Sequence, residues 1–126
     1  MPALEPVEGV RVVASPAGLD GARWHGDDVD VVRIAPDEAL GLGATGVDVD
    51  DPDAIVEPEA GFSVALLGRA DLATLIAHTD WPLPAEHRTI AQGKVAGVPV
   101  KVVVGDPTLL VVQTAYADEL RRRLGW

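Results

Sequence analysis

The hydrophobic pattern is clearest in the second half of the chain. Phe62, Val64 and Leu66 alternate with Ser63 and Ala65, the two-residue period of a half-buried strand over 62–67. From Arg69 to Thr79 the period lengthens, and Leu72, Leu75, Ile76 and Thr79 share a helical face behind Asp71 in the first turn. Trp81-Pro82-Leu83-Pro84 ends that helix, because proline lacks a donor and clashes with the preceding turn. Val95–Val104 reads as one long Val-rich strand. Gly105-Asp106-Pro107 is a turn, and Leu109–Thr114 returns antiparallel. Ala115–Leu124 is an amphipathic helix with Tyr116, Leu120 and Leu124 on one face. Its Asp118 and Glu119 precede Arg121, Arg122 and Arg123, in accord with the helix dipole, and Gly125 is a natural stop.

The first half is less regular. Val10–Ala14 predicts a short edge strand ending at Ser15-Pro16, and the β-branched run Val29–Ala35 predicts another ending at Pro36. Pro36-Asp37-Glu38-Ala39-Leu40 has proline at its start and acids behind it, the pattern of one helical turn, which Gly41 and Gly43 would stop. Residues 44–54, rich in Gly, Asp and Pro, read as a loop. The expected fold is therefore a single α+β domain over 1–126. Its acidic part, 1–54, supplies N-terminal strands and a loop. Residues 55–126 form a ferredoxin-like β-α-β-β-α unit, with an antiparallel sheet and two main helices on one face.

Composition narrows the chemistry. With 126 residues the chain can bury roughly two-thirds of its unfolded surface in one core. It has no cysteine, which excludes disulfides, thiolate nucleophiles, iron–sulfur clusters and Cys-type zinc sites. The net charge is −10, and residues 1–60, with 3 Arg and 14 acids, carry −11 while residues 61–126 carry +1. Such an acidic chain is a poor partner for nucleic acid, and the block reads first as a solvated surface. Runs such as Leu109-Leu110-Val111-Val112 fall far short of the ~18 residues that read as a membrane span. The first residues lack the basic and apolar regions of a signal peptide, so a cytoplasmic location with no membrane partner is expected.

Motifs with apparent chemistry fail on context. Gly41-Leu42-Gly43-Ala44-Thr45-Gly46 spells G-x-G-x-x-G, but Asp48, Asp50, Asp51 and Asp53 follow where a helix N-terminus should receive a pyrophosphate. Asp48, Asp50 and Glu59 match positions 1, 3 and 12 of a calcium loop, yet Pro52 and Asp53 stand where a ligand and the turn glycine belong. Ser63, Asp80 and His87 run in hydrolase order, but Ser63 begins a strand and reads as a polar residue on its solvent face. His25 lies near Asp27 and Asp28, and His78 near Asp80; with His87 they show no zinc spacing and read as structural or surface residues. No catalytic residue, metal or cofactor is expected on the isolated chain.

Trp24, Trp81 and Trp126 dominate the few aromatics. Core or rim packing is the first reading, with exposure to a partner the second. Val98, Val100, Val102 and Val104 against Val103 require cover on both sides of a sheet whose helices cover one. Trp81, Val103 and Trp126 are accordingly the candidate interface residues.

Three stretches carry a family resemblance: Arg33-Ile34-Ala35-Pro36-Asp37-Glu38, Glu59-Ala60-Gly61-Phe62-Ser63, and Ala91-Gln92-Gly93-Lys94-Val95-Ala96-Gly97-Val98-Pro99-Val100-Lys101. With Tyr116-Ala117-Asp118-Glu119-Leu120, their order resembles the small gamma subunit of heterotetrameric sarcosine oxidase, related to the aminomethyltransferase (T-protein) fold. The resemblance covers roughly 29–126 and implies a non-catalytic accessory chain. The flavin, nicotinamide and folate sites of that family belong mainly to larger subunits. The implied partner is a larger amine-oxidising or one-carbon-transfer protein. The rival readings are a stand-alone binding module for a folate-like small molecule and a homodimer of structural role.

Overall fold

The computed structural model describes Pro2–Trp126. The chain divides into two compact units: Val7–Ala60, and Gly61–Trp126 together with the residues up to Pro6. The elements in chain order are β1 (Glu5–Val13), α1 (Pro16–Asp20), β2 (Arg23–His25), β3 (Asp30–Ala35), β4 (Glu38–Leu42), β5 (Gly46–Asp48), β6 (Ile55–Leu67), α2 (Arg69–Ala77), β7 (Ile90–Val95), β8 (Val98–Val103), β9 (Thr108–Gln113) and α3 (Thr114–Leu124). The fold is thus mixed α and β, with mostly antiparallel strands.

In the Val7–Ala60 unit, β4 lies between β3 and β1 and pairs antiparallel with both, while β2 and β5 form a separate two-stranded ribbon. The helical turn expected at Pro36–Leu40 is instead a turn at Pro36-Asp37 followed by β4. Its backbone groups bond to neighbours on both sides, and Ala39, Leu40 and Leu42 are buried. Tertiary pairing outweighs the local helical pattern. Residues 44–54 are not all loop either, since Gly46–Asp48 pairs with Arg23–His25. The helix α1 was hidden in the Ser15-Pro16 break: Ser15 Oγ accepts from Gly18 N at 3.1 Å, with Pro16 in the first turn. Val10, Val12, Ala14, Leu19, Ala39 and Ala44 form the core, against which Trp24, Val47 and Val49 pack.

In the other unit the strand order is β6-β9-β8-β7, with every neighbouring pair antiparallel. One face carries Ala65, Leu67, Leu110, Val112, Val100 and Val102. Leu75 from α2 and Ala117, Leu120 and Leu124 from α3 pack in the same cluster, so both helices serve one side of the sheet. The stripes differ from expectation in two places, because Ile76 is 50% and Tyr116 41% exposed. The long strand expected at Val95–Val104 is two strands. Ala96 and Gly97, at φ 49° and 82°, turn the chain back on itself and join β7 to β8. The order from β6 onward is therefore β-α-β-β-β-α, and a ferredoxin-like arrangement is not confirmed. Alternation along β8 also relieves the expected excess of Val: Val98, Val100 and Val102 are buried, whereas Val103 is half-buried.

A tryptophan seated on a strand glycine recurs in both units. A Cβ on Gly41 of β4 would come within 2.3 Å of the Trp24 ring. One on Gly93 of β7 would come within 2.6 Å of the Trp81 ring. Trp81 Nε1 also donates to Lys94 O at 2.7 Å.

Two predictions follow from this packing. Leu120→Asp places a charge at a fully buried position and should cost on the order of 3–5 kcal/mol in a circular-dichroism melt. Gly93→Ala should cost about 1–3 kcal/mol by overpacking, and much less in a Trp81→Ala background, which a double-mutant cycle measures.

Candidate functional site

One cleft in the Gly61–Trp126 unit lies on the sheet face opposite the helices. The registers place Phe62 opposite Gln113, Lys101 opposite Gln92 and Val111, and Lys94 opposite Pro99. These side chains alternate with the core-facing ones, so they emerge together on that face. They line an open cleft of about 300 Å³. Lys101 Nζ stands 5.2 Å from the centre of the Phe62 ring, a cation–π contact. Val111, in register with Lys101, is fully buried.

The membership of this cleft is unusual for this composition. Lys94 and Lys101 are the only lysines of the chain, Gln92 and Gln113 the only glutamines, and Phe62 the only phenylalanine. None of the lining residues is acidic, although the chain has 20 acids. Sequence reasoning missed the group because its members come from four strands.

Two other depressions are chemically weaker. One, of about 390 Å³, is lined by His78, Asp80 and Lys94 at the end of α2. His78 Nδ1 lies 2.9 Å from Thr74 O, so that ring nitrogen is held by helix backbone. The other, in the Val7–Ala60 unit, places Glu8, Glu57 and Glu59 around Val10, Val56 and Ala60.

The residues singled out in the sequence do not assemble. Ser63 is buried rather than on a solvent face; β6 turns it toward the helices, and its hydroxyl meets Thr114 Oγ1 at 2.9 Å. His25 pairs with Asp48 at 2.8 Å rather than with Asp27 or Asp28, because the β2–β5 ribbon brings them together. In the G-x-G-x-x-G stretch, Gly41 lies within β4 under Trp24, and no helix follows. Asp51 accepts from Ser15 N and Asp53 N, and no group of three or more His, Asp or Glu that could hold a metal occurs among the described residues. Of the candidate interface residues, Trp81 and Trp126 are half-buried against the helix-side core. Val103 emerges on the opposite face, in register with Ile90 and Leu109.

Two carboxyls have displaced titrations. Backbone N–H groups of Ser15 and Asp53 hold Asp51 below its ordinary value, and burial with nearby Asp28 holds Asp30 above its own.

No family model matches the sequence, and no curated protein matches it. Architecture gives the first level of classification, a mixed α and β fold with a mostly antiparallel sheet. Among solved structures the chain is similar to a chain of heterotetrameric sarcosine oxidase from Corynebacterium sp. U-96, determined in complex with pyrrole 2-carboxylate. The TM-score is 0.65 at 14% identity, covering 98% of this chain and 79% of that one. The likeness is one of fold. No helix among the described residues is long and apolar enough to cross a membrane.

The displaced carboxyls have opposite signatures in a pH series. Asp51 has a lowered folded pKa, so its stabilisation is present above the unfolded value of 3.8 and is lost as pH falls through the folded value. Asp51→Asn should therefore melt lower than the native protein at neutral pH, and the gap should close on acidification. Asp30 has a raised folded pKa, so stability falls as pH rises from 3.8 through the folded value. Asp30→Asn should melt higher at neutral pH.

Proposed function

We propose that this chain is a non-catalytic small subunit resembling the gamma subunit of heterotetrameric sarcosine oxidase, seated against a larger amine-oxidising or one-carbon-transfer protein. The observation that carries the reading is the fold likeness, which runs over 98% of the chain to a component of a heterotetrameric oxidase. The order of the 33–38, 59–63 and 91–101 stretches supports it independently of the fold. The engagement of Ser63 by Thr114 inside the fold also supports an accessory role, because that hydroxyl is not presented as a nucleophile. Exposed Leu66, Ile76 and Tyr116 offer apolar contact area for an interface.

Affinity capture of the full chain from native extract, followed by mass spectrometry and an absorption spectrum, tests the reading. A larger flavin-bearing or folate-binding chain should be recovered in near-equal amount. Recovery of the bait alone, as a dimer by light scattering and without flavin absorption, would overturn it in favour of self-association.

A further inference from the structure

We propose that the outward face of α2 joins two copies of this chain, the two helices lying antiparallel across a two-fold axis at Ala73. This inference goes beyond the subunit reading and does not depend on it.

The pattern along α2 is the first ground. Of its nine residues only Leu75 is buried. At 3.6 residues per turn, Arg69, Ala70, Ala73, Ile76 and Ala77 fall on one arc of roughly 120° centred on Ala73, away from Leu75. All five are exposed, Ile76 by 50%, and four of them are apolar. The helix is therefore apolar on its inner and its outer arc, the pattern of a helix covered on both sides. The α3 helix packs in the same core cluster and makes the contrast, since its outward arc sets the charges of Asp118 and Arg122 around Ala115.

The stripe is also complementary to itself. An antiparallel two-fold at Ala73 sets each Ala70 opposite Ile76 of the second copy, three residues to either side of the centre. The branched side chain then meets a gap, and alanines at the crossing let the two backbones come close.

Charge fixes the direction. Arg69 is the one charge on the outward arc, and it stands at the N-terminal end of α2, where its own helix dipole is positive. An antiparallel neighbour brings its C-terminal, negative end to that position. Asp80 lies at that end, lining one depression with Ala77 and His78. Lys94 lines the same depression, but neither Asp80 nor Arg69 is in an ion pair among the described residues. The two-fold thus forms the Arg69–Asp80 contact twice, whereas a parallel pair would set arginine beside arginine. One short helix from each copy makes a contact at the small end of specific interfaces, so the dimer forms and dissociates with concentration.

The experiment uses the purified full chain. The chain has no cysteine, so Ala73→Cys supplies a single thiol at the crossing, and Ala115→Cys supplies the control on the outward arc of α3. Under mild oxidation Ala73→Cys should form a covalent dimer at least tenfold faster than Ala115→Cys. Sedimentation of the native chain should show a monomer–dimer equilibrium. Ile76→Glu alters an exposed side chain, so it should keep the native circular-dichroism spectrum and dissociate the dimer at least tenfold more readily. Arg69→Glu and Asp80→Arg should each weaken the dimer, and the two together should restore it. The proposal is overturned if Ala73→Cys cross-links no faster than the control, if self-association is unchanged by Ile76→Glu, or if the double charge exchange fails to restore it. No partner protein enters the measurement, so its failure is distinct from failure of the capture experiment.

Discussion

Steric contact between an indole ring and a bare strand backbone organises both units. Gly41 and Gly93 have no side chain, and Trp24 and Trp81 occupy the space a Cβ would need. The arrangement covers a weak point in a strand, since a glycine offers nothing to pack, and anchors a less regular segment at the same time. Trp81 illustrates the coupling. Its ring lies on Gly93 and its Nε1 bonds Lys94 O, while His78 O accepts from Ala96 N and Arg88 N bonds Val104 O. The segment between α2 and β7 is thus pinned near both ends and at its tryptophan. The β7–β8 hairpin and that segment stabilise one another.

Fixing Gly93 toward Trp81 also fixes parity. Side chains on a strand alternate, so Gln92 and Lys94 must point to the other face, and a slip of one residue would exchange the two sets. The same parity sends Val98, Val100 and Val102 toward the helices and Lys101 away from them. The Lys–Gln–Phe cleft is in this sense a consequence of core packing. Residues that bury Ala91 and Val95 on one side set which polar side chains meet on the other.

How much of this was legible depended on where the determining interaction lay. The strand near 62–67 and helices α2 and α3 were readable because their periods are local and their stops, Trp81-Pro82 and Gly125, are chemically explicit. The β7–β8 turn was not. Ala96 adopts φ 49°, a conformation usually signalled by Gly, Asn or Asp, and the Val-rich flanks read as continuous strand. β4 reads locally as a helical turn because Pro36-Asp37-Glu38 is a good helix start, and only pairing with β1 and β3 overrides it. The cleft required knowledge of strand register. One usable signal was present: a chain with two lysines places both within eight residues, around a glycine, a proline and valines.

The buried polar groups bear on which kind of function this fold can support. Ser63 and Thr108 are the buried polar residues among those described. Ser63 pairs with Thr114, and Thr108 Oγ1 donates to Gly105 O at 2.9 Å. No buried side-chain nitrogen or oxygen among the described residues lacks a partner. Active sites commonly hold polar groups in costly, partly satisfied positions so that they can be satisfied by substrate or transition state. Here the interior polar groups are matched within the fold, and the ion pairs, such as Arg33 with Asp20 and Arg121 with Asp118, lie at the surface, where each adds little stability. The side chains with most to gain from further contact are the exposed apolar ones, Leu66, Ile76 and Tyr116.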